Sequence, residues 1–300
     1  MPRILVATSD GLHEVGRDRT TVDLEGRAVG ALLADGPKRW AVVDGSHVFH
    51  RPNENDGWSK LVGVEQLHIN CLSFTDRLLF GTSSARLFSV EGGRVRALDS
   101  FDRAEGRGDW YTPWGGPPDT RSISEWDRDV YVNVHVGGIL RTSDGGATWT
   151  STIDIDADVH RVVTAEGLVL AACAGGLATS TDRGATWSMR SVGLAAPYMR
   201  GVTVCGDAVL VSTSNGPRGG RGAIYRGDLR GDGAFERCTA GLPEWFDDNI
   251  DSLCLDGPPD GSFVAFATGD GRVFGSDDGG ATWGELASGL PAVRAVLVVP

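Results

Sequence analysis

Short apolar runs that end in glycine-containing turns recur along the whole chain. A run of this kind is typical of a β-strand, and two runs joined by a short turn predict a hairpin. Seven hairpin cores are found, at residues 4–15, 40–50, 78–90, 130–142, 168–180, 209–227 and 263–276. No stretch has the 3.6-residue apolar period of a long helix, so the pattern predicts an all-β protein.

Each hairpin is accompanied by a further short strand and by another apolar run, such as "HRVVTA" at residues 160–165. Four strands in about 40 to 50 residues, repeated seven times, predict a seven-bladed β-propeller. The chain begins on the second strand of a blade and finishes on an unpaired apolar run. Residues 294–299 are therefore predicted to complete the first blade, which closes the ring and hides two sheet edges.

The composition changes little along the chain. Its 300 residues are 41% hydrophobic, so residues 1–300 are predicted to form a single domain. The first residues lack the pattern of a secretion signal and no apolar run reaches about 18 residues, so a cytoplasmic location is expected. The five cysteines include no C-x-x-C pair, which favours free buried thiols over disulfides or a zinc knuckle.

The net charge of −12 restricts the possible partners. Nucleic acid and anionic membranes are bound through basic surfaces, so neither is expected as a partner. Residues 214–223 are glycine-rich, but they lack the strand and helix that flank a phosphate-binding loop. No cofactor is predicted. The basic residues are unusual, because Lys38 and Lys60 are the only lysines among 28 basic residues.

One nine-residue motif occurs three times. Residues 142–150 read "TSDGGATWT", and close copies, "STDRGATWS" and "SDDGGATWG", occupy residues 180–188 and 276–284. In each copy the aspartate can accept hydrogen bonds from the turn, the glycine permits positive φ and the tryptophan can pack between blades. The motif is therefore predicted to shape a hairpin rather than to carry a reaction.

The three copies resemble the Asp-box, or bacterial neuraminidase repeat, of pattern S/T-x-D-x-G-x-T-W. The matching residues are Thr142, Asp144, Gly146, Thr148 and Trp149; Ser180, Asp182, Gly184, Thr186 and Trp187; and Ser276, Asp278, Gly280, Thr282 and Trp283. The resemblance implies a β-propeller in which the box lies at the turn between the third and fourth strands. It also implies that the ligand site lies on the opposite face, where we expect the functional residues.

Polar residues occupy the predicted starts of the seven innermost strands. They are Arg27, Asn70, Arg121, Arg161, Arg200, Asp251 and Arg294. Their spacing is that of the blades, so their side chains are predicted to converge on one mouth of the channel. Guanidinium groups bind carboxylate, phosphate and sulfate through paired hydrogen bonds, so an anionic ligand is predicted there. Alternatively, each arginine pairs with a local acid, such as Glu125, Asp158 or Asp251, and ties two blades together.

Titratable and aromatic residues are expected at the same mouth. Five are candidate catalytic groups, namely His68, His135, His160, Tyr198 and Asp251. Imidazole titrates near neutrality, and a carboxylate can orient it for proton transfer. Four aromatic residues in two long loops are candidate ligand contacts or parts of a lid, namely Trp110, Tyr111, Trp114 and Trp245. A three-histidine metal site would lack diagnostic spacing, so no metal ion is predicted.

Three functions follow from these residues and from the resemblance. A sialidase would bind its substrate carboxylate through arginines and use Tyr198 or Tyr111 as nucleophile. The early Phe/Tyr-Arg-Ile-Pro element of sialidases is absent, however, and they have six blades. Seven-bladed Asp-box proteins of the photosystem II assembly-factor and sortilin types imply a binding platform for a protein partner. The preferred hypothesis is a pocket for a small anionic molecule or glycan, with lyase, isomerase or hydrolase chemistry left open.

Overall fold

The computed structural model describes residues 2–16, 19–258 and 260–299. Its strands form seven four-stranded antiparallel sheets, and the chain is a seven-bladed β-propeller, as predicted. The chain divides into two compact units. One comprises Ala31–Cys173 and Ala178–Ser188, and the other comprises Met1–Gly30, Ala174–Leu177 and Met189–Pro300. The single domain expected for residues 1–300 stays a prediction.

Blades 2 to 5 belong mainly to the first of these units. The strands of blade 2 are Val29–Asp35, Lys38–Val43, His47–Arg51 and Ser59–Gly63. Those of blade 3 are Ile69–Phe74, Leu78–Thr82, Arg86–Glu91 and Arg94–Ala97. Those of blade 4 are Thr120–Trp126, Asp129–Val134, Gly138–Thr142 and Thr150–Ser151. Those of blade 5 are Val159–Ala165, Leu168–Cys173, Gly176–Ser180 and Ser188–Arg190.

Blades 6, 7 and 1 belong to the second unit. The strands of blade 6 are Tyr198–Cys205, Ala208–Ser214, Ala223–Asp228 and Glu236–Arg237. Those of blade 7 are Leu255–Asp256, Val264–Ala267, Val273–Ser276 and Gly284–Ala287. Those of blade 1 are Val293–Val299, Arg3–Thr8, Gly11–Val15 and Thr20–Asp23.

The last strand of the chain completes blade 1, which confirms the predicted closure. It runs antiparallel to the first strand of the chain, with Arg3 opposite Val299 and Thr8 opposite Val293. The described residues also include three short 3-10 helices, Phe101–Arg103, Arg107–Asp109 and Ile155–Ala157. Within the described parts of the chain, no helix has the length and apolar character needed to cross a membrane.

The core is built from the second strands of the blades. Every residue of Leu168–Cys173 and of Ala208–Ser214 is buried, because both faces of these strands are covered. Aromatic rings fill the space between the strands and the turns. In blade 7 the ring of Phe266 meets the ring of Trp283 edge-on, with centroids 4.9 Å apart. In blade 4 the ring of Trp149 makes the same kind of contact with Phe101, at 5.1 Å.

The three copies of the repeated motif form the same turn between a third and a fourth strand, and we call them the box turns. In the first, Asp144 Oδ1 accepts hydrogen bonds from the backbone N–H groups of Ala147 and Thr148, at 2.9 and 3.0 Å. Asp144 Oδ2 accepts from the Thr148 hydroxyl at 2.7 Å. Gly146 has a φ of +91°, a conformation that side chains disfavour. The aspartate therefore serves its own turn.

Candidate functional site

The first strands of three neighbouring blades begin with the same irregularity. In blade 3 the pairing register shifts between Ile69 and Cys71, which leaves Asn70 outside the ladder. The equivalent shifts in blades 4 and 5 leave out Arg121 and His160. A β-bulge of this kind re-aims the extra side chain, and bulges are common beside functional sites. We call Asn70, Arg121 and His160 the bulge residues.

Hydrogen bonds from side chains connect these strand starts. Asn70 Nδ2 donates to the carbonyl oxygen of Thr120 at 3.1 Å, directly before the bulge of blade 4. Asn133 Nδ2 donates to the carbonyl oxygen of Val159 at 2.9 Å, directly before the bulge of blade 5. The three bulge residues therefore lie on the first strands of consecutive blades, and side-chain hydrogen bonds connect these blades.

In blade 5 the residue at the bulge differs by one position from the residue that the sequence predicts. Sequence alignment on arginine places Arg161 with Arg121, but Arg161 pairs opposite Ala172 within the ladder, and His160 occupies the bulge. The sequence carries the letters "HR" at this point, and an alignment on arginine cannot detect a shift of one residue. His160 is therefore the structural equivalent of Arg121.

Two buried histidines share one carboxylate beside these bulges. His135 lies in the turn between the second and third strands of blade 4, and Asp158 follows the short helix Ile155–Ala157. Asp158 Oδ1 is 3.2 Å from Nε2 of His135 and 3.7 Å from Nε2 of His160. The two imidazoles are 2% and 1% exposed, whereas the carboxylate side chain is 24% exposed. We call these three residues the triad.

Asp158 has an uncommon backbone conformation and a carboxyl group with a lowered pKa. Its backbone has a φ of +49°, which residues other than glycine seldom adopt. Burial raises the pKa of the Asp158 carboxyl, but the interactions with His135, His160 and Arg121 outweigh burial, and the pKa is lowered. Within the described residues, Oδ1 of Asp158 and Nδ1 of His135 have no hydrogen-bond partner.

The long loop between blades 3 and 4 provides aromatic rings near the triad. The ring of Trp114, a residue that is 65% exposed, lies 4.9 Å from the ring of His135. Tyr111 is 46% exposed. Trp110 is buried against Phe101, at 5.7 Å between ring centroids. Of the predicted aromatic contacts in this loop, Trp114 and Tyr111 are thus open to solvent, whereas Trp110 belongs to the core.

His68 also lies in this unit, at the end of the connection that enters blade 3. It is exposed, and its Nδ1 lies 2.9 Å from Oδ1 of Asn70. It therefore contacts a bulge residue and is not a member of the triad.

In the second unit, a similar register shift between Met199 and Gly201 leaves Arg200 outside the ladder of blade 6. Its Nη1 lies 2.6 Å from Oδ1 of Asp251, an exposed carboxylate. Its guanidinium also lies over the ring of Tyr198, 5.7 Å from the centroid. Three predicted site residues are thus brought together, in the arrangement expected if an arginine pairs with a neighbouring acid.

The other predicted residues of this unit have individual settings. Arg294 is exposed, and it is the bulge residue of blade 1. Arg27 is half-buried, and its carbonyl oxygen accepts a hydrogen bond from the N–H of Gly11 at 2.7 Å. Two guanidinium groups approach the ring of Trp245, Arg237 at 4.2 Å and Arg221 at 5.5 Å from its centroid.

A buried ion cluster in blades 4 and 5 was not identified from the sequence. Asp129 is fully buried, and its carboxylate binds Nη2 of Arg141 at 2.9 Å and Nη1 of Arg183 at 2.8 Å. The guanidinium of Arg183 also lies 4.7 Å from the ring centroid of Trp126. The sequence indicates this cluster at one position, where Arg183 replaces the glycine of the other two copies of the motif.

Comparison with known proteins adds the fold but no family. No family model matches the chain, and no curated protein matches it. Among solved structures, YCF48 bound to a D1 peptide has a TM-score of 0.59 at 15% identity, over 94% of this chain and 84% of that chain. A chain of a nidogen–laminin complex has a TM-score of 0.57 at 9% identity, over 100% and 99%.

A GH74 xyloglucanase from Xanthomonas campestris has a TM-score of 0.70 at 16% identity, over 96% of this chain and 52% of that chain. The chain thus spans about half of the xyloglucanase. Since these identities are low, the likenesses show the β-propeller fold.

Proposed function

We propose that the protein binds a small anionic ligand, carrying a carboxylate, phosphate or sulfate group, at the bulge residues of blades 3 to 5. The observation that carries the proposal is the repeated bulge. Three adjacent strand starts each take one side chain out of the ladder, and these side chains are Asn70, Arg121 and His160. An amide, a guanidinium and an imidazole can all donate hydrogen bonds to an anion.

The charge of Arg121 and the exposed ring of Trp114 indicate what kind of anion the site would bind. The positive charge of Arg121 acts on Asp158, so an anion bound at Arg121 competes with that carboxylate. A ligand that also accepts hydrogen bonds from Asn70 and His160 is therefore favoured over a bare ion. The exposed ring of Trp114 offers a surface on which a sugar or an aromatic group can stack. We expect an organic anion with such a group.

Calorimetric titration tests this function. Phosphate, sulfate and citrate are added at low ionic strength, where the expected result is saturable binding of at least one of them. Arg121→Lys keeps the charge but removes the guanidinium fork, so its affinity should fall about tenfold or more. Arg161→Lys is the matched control and should bind as the unmodified protein does. Absence of binding, or an unchanged affinity in Arg121→Lys, contradicts the proposal.

Binding of a protein partner is the second candidate function. The specific observation is the pair of exposed aromatic rings, Tyr111 and Trp114, on one long loop. Aromatic residues are enriched at protein interfaces, and one of the similar structures, YCF48, is bound to a peptide. A partner captured from cell extract that is lost in Trp114→Ala and kept in Arg121→Lys would favour this function over the first.

A further inference from the structure

The side-chain atoms of the triad that can coordinate a metal converge. The ligand atoms of His135, Asp158 and His160 lie within 4.8 Å of one another. Both Nε2 atoms face the same carboxylate oxygen, at 3.2 and 3.7 Å. Ligand atoms bound tetrahedrally to Zn²⁺ at about 2.0–2.2 Å lie about 3.3–3.6 Å apart. The two nitrogen–oxygen distances are therefore close to the spacing that a metal ion imposes, whereas the two nitrogens are held only to within 4.8 Å of each other.

The protein does not satisfy all the polar atoms of the triad. Oδ1 of Asp158, which faces both imidazoles, is buried and has no hydrogen-bond partner within residues 2–16, 19–258 and 260–299. Nδ1 of His135, the ring nitrogen that faces away from this carboxylate, has none there either. Buried polar groups without a protein partner are rare in native proteins and mark places where water, an ion or a ligand completes the site.

The ligand types distinguish between classes of metal ion. Two imidazoles and one carboxylate suit zinc and the other late first-row transition metals, whereas Ca²⁺ and Mg²⁺ prefer sets of oxygen ligands. The triad has a single carboxylate, and the positive charge of Arg121 acts on it. A hard cation, which needs several oxygen ligands, is therefore disfavoured.

We infer that His135, Asp158 and His160 bind one divalent transition-metal ion of the zinc class. Three protein ligands leave a coordination position for water or for an anionic group. The metal site shares His160 with the proposed anion site, but the inference does not rest on anion binding, because all three metal ligands come from the protein.

Metal titration of the whole protein tests the inference. After treatment with a chelator, the protein is titrated with Zn²⁺ by calorimetry and with Co²⁺ by visible absorption. One ion per chain is expected. Asp158→Asn and His160→Gln should each weaken binding by more than about 100-fold, beyond the about 10–100-fold loss that follows removal of an outer-shell partner. Asp156→Asn and His47→Gln are the matched controls and should bind as the unmodified protein does.

A second measurement covers the case in which the triad variants do not fold. In unmodified protein loaded with Co²⁺, the imidazole NMR signals of two of the six histidines should be paramagnetically shifted. Failure to bind Zn²⁺ stoichiometrically, or binding that shifts none of these signals, overturns the inference. Anion binding to chelator-treated protein is measured in parallel, so loss of the metal site and loss of the anion site give different results.

Discussion

The aspartate of each box turn accepts its hydrogen bonds from the nine residues of that turn, whereas buried polar atoms beside the bulged strand starts have no hydrogen-bond partner within the described residues. In the turns, Asp144, Asp182 and Asp278 all accept from the N–H and the hydroxyl of the threonine four residues later, at 2.6 to 3.0 Å. At the bulges the backbone repeats, but the side chain changes from amide to guanidinium to imidazole.

The box turns repeat both backbone and side chains, whereas the bulges repeat only the backbone. A turn that repeats its side chains together with their partners maintains the hairpin. A backbone feature that repeats while its side chains vary offers a fixed position for different chemistry. The box turns should therefore determine stability, and the bulges should determine binding.

Removal of a box tryptophan should give the largest effect. Trp149 is 7% exposed, so Trp149→Ala leaves a cavity beside Phe101 and should lower the free energy of unfolding by about 3–5 kcal/mol. Chemical denaturation measures this loss. Trp114→Ala is the matched control, because a side chain of a residue that is 65% exposed should change stability little. Equal losses in the two variants would contradict the assignment of stability to the box turns rather than to the exposed loop that carries Trp114.

The buried ion cluster should come next. Asp129→Asn removes the charge that binds Arg141 and Arg183, whose side chains are 30% and 41% exposed. Loss of one partner of a buried pair costs about 3–5 kcal/mol, and solvent at the arginines reduces the expected loss to about 1–3 kcal/mol. Asp127→Asn, at a side chain that is 57% exposed, should change unfolding by less than about 0.5 kcal/mol. If Asp129→Asn leaves the free energy of unfolding unchanged, the cluster does not stabilise the fold.

Acid should weaken the box turns. Hydrogen bonds from the threonine side chain and backbone lower the pKa of Asp182 and of Asp278 to about 2. Both values lie below the ordinary value of about 3.9, so their stabilising effect is complete above about pH 4 and is lost as the pH falls towards 2. Asp278→Asn should melt roughly 2–6 °C lower than the unmodified protein at pH 6. The two melting temperatures should converge near pH 2, and a constant difference across this range would contradict the assignment.

The sequence predicted the fold well because a propeller repeats its apolar pattern seven times. Closure by residues 294–299 also followed from the pattern, since an unpaired apolar strand needs a partner. The candidate site was harder to predict. The sequence marks His135 and His160 as titratable residues, whereas it presents Asp158 only as a partner for an arginine. The place of Asp158 beside both imidazoles joins residues of blades 4 and 5, which no local sequence signal brings together.

The smallest effect on stability should come from the bulge arginine, and it gives the sharpest test of function. Arg121 stands outside the ladder of blade 4, whereas Arg161 lies within the ladder of blade 5, opposite Ala172. Both are half-buried, so Arg121→Gln and Arg161→Gln should each change the free energy of unfolding by no more than about 0.5 kcal/mol.

Their effects on binding should differ. Loss of a guanidinium that contacts the ligand removes a charge-assisted hydrogen bond, worth about 1.5–3 kcal/mol, so Arg121→Gln should bind citrate or phosphate about 10-fold to 100-fold more weakly. Arg161→Gln should stay within about twofold of the unmodified protein, because its strand position is one residue away from the bulge. Titration calorimetry of the two variants under one buffer condition measures both affinities. If Arg161→Gln loses binding and Arg121→Gln keeps it, the ligand follows the alignment of arginines in the sequence, and the bulge does not define the site.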